Sequence, residues 1–62
     1  MSVNVFIQEH SGDYNGDIEF DTRIQARSFV ETTREARGYW FDTDTFIPWH
    51  RIDYIKIEEQ ND

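Results

Sequence analysis

The even positions from Ile18 to Thr32 read Ile, Phe, Thr, Ile, Ala, Ser, Val, Thr. Between them stand Glu, Asp, Arg, Gln, Arg, Phe and Glu. Period-two order of this kind is the mark of a half-buried strand, with the even positions inward and Phe29 left as an exposed aromatic. The rival is a helix from about Thr22 to Arg37. It would turn Ala26, Phe29, Val30 and Thr33 inward and stop at Gly38. The β-branched residues Thr22, Ile24, Val30, Thr32 and Thr33 favour the strand. A strand so long has to bend strongly, or break near Thr22–Gln25, as strands of small barrels do.

The flanking segments also read as strands. Val3, Val5 and Ile7 alternate with Asn4 and Phe6, and the pattern stops at the turn-rich run from His10 to Asp17. Thr33 to Gly38 reads as a loop, Tyr39-Trp40-Phe41 as a strand and Asp42-Thr43-Asp44-Thr45 as a tight polar turn. Phe46-Ile47 and Ile52 to Glu59 complete the set. The expected fold is mostly β: one small domain, residues 1–62, forming an antiparallel barrel of the SH3-like or Sm-like kind with about five strands. The alternative is α+β, with a helix at about 22–37.

Proline cannot donate to a sheet ladder, so Pro48 ends a strand. Its fixed φ suits the start of a single 3-10 turn over 48–51, anchored in the core by Ile47 and Ile52. Trp49 then lids the core, while His50 and Arg51 lie at the surface.

The run IPWHRIDYIKI, Ile47 to Ile57, resembles the segment typical of the RNA cyclic-group end recognition domain, whose members carry IPxHRI followed by an aromatic strand. IEFDTRI at 18–24 is similar to that family's acidic-aromatic strand ending in Asp-Arg, with Thr22 inserted between Asp21 and Arg23. The family's members are predicted to bind RNA ends. The resemblance therefore implies His50 and Arg51, with Arg23, as RNA contacts. VNVFIQEH stands where the family has a helical portion.

Charge pulls the other way. The 62 residues carry 6 Lys+Arg against 13 Asp+Glu, a net charge of −7, which opposes long-range attraction to nucleic acid and to anionic membranes. Only residues 22–38 are net positive, through Arg23, Arg27, Arg34 and Arg37. On a strand, Arg23, Gln25, Arg27 and Phe29 would share one outer face. Guanidinium for phosphate and a ring for stacking are the minimum a single-stranded nucleic acid needs. The nucleic-acid candidates are thus His50, Arg51, Arg23, Arg27, Phe29 and Trp49. The bland alternative pairs Arg23 and Arg27 with the abundant acids.

Other chemistries find little purchase. Asp13 to Asp17, DYNGD, lacks the glycine and glutamate spacing of an EF-hand loop and reads as a hairpin turn. His10 and His50 have no sequence-local ligand partners, so neither metal nor cofactor is expected. No cysteine nucleophile, phosphate loop or nucleophile elbow is present, and no enzyme is expected. The second binding class is an acidic protein-interaction module, of the phage-inhibitor or adaptor kind, that takes a basic protein partner. Tyr14, Tyr39, Trp40 and Trp49 are anchor-type residues. Against that, Trp40 and one of Tyr39 or Phe41 would simply fill the core. An exposed edge strand would favour a homo-oligomer. With no apolar run of membrane-spanning length and no signal-peptide pattern, the expected location is cytoplasmic.

Overall fold

A computed structural model of the chain describes residues 2–60. It is a mixed α+β fold. In chain order the elements are β1 (Ser2–Glu9), β2 (Gly16–Phe20), α1 (Arg23–Ala36), β3 (Gly38–Trp40), β4 (Phe46–Pro48), a 3-10 turn η1 (Trp49–Arg51) and β5 (Ile52–Gln60). Three strands form an antiparallel sheet in the order β2-β1-β5, and β3 and β4 form a separate hairpin. Both sheets are open, so the expected closed barrel is corrected: five strands are present, but α1 takes the second part of the long strand expected over 18–32.

The helical alternative over 22–37 is the one the chain adopts. Thr22 sits in an extended conformation and its hydroxyl accepts from the Gln25 backbone N–H. The Gln25 side chain returns the bond to the Thr22 backbone N–H at 3.3 Å. That reciprocal pair is a capping box, and it satisfies two N–H groups that a helix start otherwise leaves unpaired. The threonines are tolerated inside the helix. Thr32, for example, donates its hydroxyl back to the Ser28 carbonyl at 2.9 Å. Arg37 ends the helix in the left-handed region at φ 60, a role the sequence assigned to Gly38.

The helical period selects a different buried set from the strand period. Ala26 and Thr33 are buried and Phe29 and Val30 half-buried, whereas Ile24 is 81% exposed. These residues cover the β1 face of Val3, Val5 and Ile7, each almost fully buried. Ile18 and Phe20 of β2 and Ile55 and Ile57 of β5 extend that face on either side. Tyr39 and Ile47, directly paired in the hairpin, close the core from the end. Of the two readings of the Tyr39–Phe41 segment, Tyr39 is core and Trp40 is not: Trp40 stands 63% exposed.

The expected corner is present, but Trp49 does not lid the core: it is exposed. Pro48 ends β4 at φ −68, Trp49–Arg51 make one 3-10 turn, and Ile52 starts β5. The Trp49 N–H donates to the Arg37 carbonyl at 2.7 Å, tying the turn to the end of α1. The His10 N–H donates to the Arg51 carbonyl at 2.7 Å, tying it to the end of β1. Among the described residues no helix is long and apolar enough to cross a membrane.

Candidate interaction surfaces

Two neighbouring surfaces gather the residues with binding chemistry: the η1 corner and the β3–β4 hairpin. The corner is held by a carboxylate that the sequence did not single out. Strand alternation continues past Ile7, so Glu9 falls on the buried face and is only 1% exposed. A buried carboxylate needs partners. The Ser11 hydroxyl donates to one of its oxygens. Arg51 donates to the other through Nε at 3.2 Å and through its second terminal nitrogen at 2.9 Å. The Glu9 backbone N–H is taken by Asn15 Oδ1 at 2.9 Å. The Ser11 bond, opposed by burial and aided by Arg51, lowers the Glu9 pKa from 4.5 to about 2. Arg51 is thus first a structural residue, with half its side chain still open to solvent. Beside it lies a cleft of about 380 Å³, with Tyr14, Phe46, Pro48 and His50 among its walls.

The hairpin is aromatic on its sides and acidic at its tip. Trp40 and Phe46 face each other across it, ring centroids 5.2 Å apart. Phe41 meets Tyr14 edge-on at 5.5 Å. All four rings are at least 39% exposed. The tip is shaped by Asp42, which accepts the Asp44 N–H at 2.8 Å. The Phe41 N–H donates to the Thr45 carbonyl at 2.9 Å and closes the loop. Hydrogen bonds from the Asp44 N–H and from Thr45 hold the Asp42 carboxyl below the usual carboxylate range.

The six residues expected to meet nucleic acid do not form one site. Trp49, His50 and Arg51 share η1. Arg23 lies at the far end of the sheet, 3.4 Å from Glu59, which pairs with Val3. Val3 and Glu9 are separated by six residues of β1, roughly 20 Å of strand. Arg27 is exposed one helical turn beyond Arg23. Phe29 is corrected from a surface ring to a packed one. It touches Phe20 at 5.4 Å and lies against the core, because a helix, unlike a strand, turns it to the side that carries Ala26. Arg34 and Lys56 also pair with acids, Glu31 and Glu58. Sequence reasoning passed over Arg37, which the helix end sets beside Trp49.

Compared with known proteins, the chain matches no family model, no curated protein and no solved structure.

Proposed function

We propose that this protein is a non-enzymatic binding module that presents its β3–β4 hairpin to a basic segment of a protein partner. The observation that carries the reading is the joint exposure of Trp40, Phe41, Phe46 and Tyr14 around the anionic Asp42–Asp44 tip. Exposed aromatic faces attract guanidinium and ammonium groups, and flanking carboxylates add charge-assisted hydrogen bonds. The net charge of −7 steers a cationic partner inward over the whole surface. A fluorescent arginine-rich dodecapeptide and a single-stranded RNA of equal length, titrated in parallel, test it. The peptide is expected to bind with strong salt dependence. Trp40→Ala and Asp44→Lys are each expected to weaken it about tenfold. Asp44 is the better site for charge reversal, since Asp42 also shapes the turn. Peptide affinity unmoved by both variants sinks the reading.

One observation favours the RNA reading as a second possibility. Among the described residues His50 and Arg37 make no ion pair, and Arg37 adjoins Trp49. On this reading Trp49 stacks a base, while His50, Arg37 and the open side of Arg51 meet phosphate. It draws on the resemblance of IPWHRI to the RNA-end recognition segment. RNA binding is then expected to fall at least fivefold in Arg37→Ala with His50→Ala, and to survive Arg23→Ala. The reverse pattern rules out the corner as an RNA site.

A further inference from the structure

The β2-β1-β5 sheet has two edges, and they are unlike. β2 is five residues long and exposes Asp17 and Glu19. β5 spans Ile52–Gln60, and its second edge has no strand partner among the described residues. We infer that this edge of β5 pairs antiparallel with the same edge of a second copy, centred on Ile57, to give a symmetric dimer with one six-stranded sheet.

The argument rests on register. A two-fold axis at Ile57 sets Lys56 opposite the partner subunit's Glu58, and Glu58 opposite the partner's Lys56. Within one strand Lys56 and Glu58 already stand 3.3 Å apart, both exposed on the sheet face away from α1. The dimer therefore closes a ring of four alternating charges. On the α1 face, Ile57 meets its own copy. Ile57 pairs with Val5, and Val5 with Ile18, so an apolar row runs unbroken across all six strands. Ile57 is only half-buried in the single chain, which leaves apolar area for the partner to cover. Neighbouring registers lose this match. Centring on Lys56 puts Lys56 on Lys56 and leaves Glu58 opposite Tyr54, with no ion pair across the axis. Centring on Ile55 sets Lys56 against Tyr54 and forms no ion pair. Pairing β2 with itself brings acids together, which like-charge repulsion disfavours.

Sedimentation equilibrium of the full chain from about 10 µM to about 1 mM reads the outcome. A monomer–dimer equilibrium is expected. Lys56→Glu and Glu58→Lys singly are each expected to weaken it about tenfold or more, because each puts two like pairs across the axis. The double variant Lys56→Glu, Glu58→Lys is expected to restore it, since every charge again faces its opposite. A far-UV melt of each single variant separates loss of pairing from loss of fold. The chain has no cysteine, which permits a second readout. Ile57→Cys is expected to crosslink to itself under mild oxidation. Ile55→Cys is not, because its two copies lie roughly 13 Å apart along the strand. A monomer throughout this range, species larger than a dimer, failure of the double variant to restore pairing, or equal crosslinking at 55 and 57 overturns the inference.

Discussion

Arg51→Ala is expected to lower the melting temperature by about 10 °C at neutral pH, with no ligand present. Among the described residues the guanidinium is the one cation against this almost wholly buried carboxylate, and its removal leaves Ser11 as the side-chain donor to Glu9. The loss reaches further than one pair. Arg51 closes η1, and Glu9 ends the strand at the centre of the sheet, so the bridge joins the corner to the core. Glu9→Gln keeps the shape and removes the charge, and it exposes the pH dependence. Glu9 has its folded pKa at about 2 against an ordinary 4.5. A depressed carboxylate stabilises the folded state fully above the unfolded value. That contribution declines as pH falls from about 4.5 and is gone near 2. The difference in melting temperature between the native chain and Glu9→Gln is therefore expected to be constant from pH 7 to about 5, then to shrink towards pH 2. A difference that does not change with pH refutes the role given to the Glu9 charge. There is a consequence for function: an RNA-binding defect in Arg51→Ala says nothing about contact until the fold is shown intact.

What could be read from the residues follows how local the causes are. The Pro48 corner and the Asp42–Thr45 turn need only neighbours in the chain, and both were legible. Segment 18–32 carried two periodicities at once, and β-branched content pointed to the wrong one. The deciding signal was nevertheless present. Thr22-Arg23-Ile24-Gln25 has the Ser/Thr-x-x-Glu/Gln spacing of a capping box, and it marks a helix start whatever the interior propensity. Once the helix forms, Phe29 turns to the core, and the second strand stops at Phe20 instead of running on to join the two sheets. The Glu9–Arg51 bridge joins residues 42 apart. Its trace in the sequence was the alternation Val3, Val5, Ile7, Glu9, which places a charge on an apolar face and so demands a partner. Which cation answers depends on the bulge in β1–β5 pairing at Gln8/Glu9, and local sequence does not encode that.

Gly38→Ala is expected to destabilise the protein by on the order of 3 kcal/mol or more, as a far-UV melt and a urea titration would record. Gly38 adopts φ +155, which disfavours any side chain. An added Cβ would also run into the Ile47 carbonyl oxygen and come within 2.6 Å of the Phe46 ring. The first obstacle is backbone of the paired strand, so relief requires the hairpin to open. Strain and collision together cost on the order of 3 kcal/mol or more. A domain of this length has a total stability of roughly 3–9 kcal/mol, so one methyl group removes a third of it or all of it. Gly16 offers the contrast that tests the reasoning. A Cβ there meets the Tyr39 hydroxyl at 2.5 Å, the far end of a side chain, and φ is not in the glycine-favouring region. Gly16→Ala is therefore expected to cost clearly less, with a urea midpoint between those of the native chain and Gly38→Ala. Equal midpoints for the two variants would mean that the hairpin yields as easily as a tyrosine tip. The ring of Phe46 lies over Gly38 and stacks edge-on against Trp40. The missing side chain at 38 is therefore what leaves room for the Phe46 ring on the hairpin that the binding proposal uses.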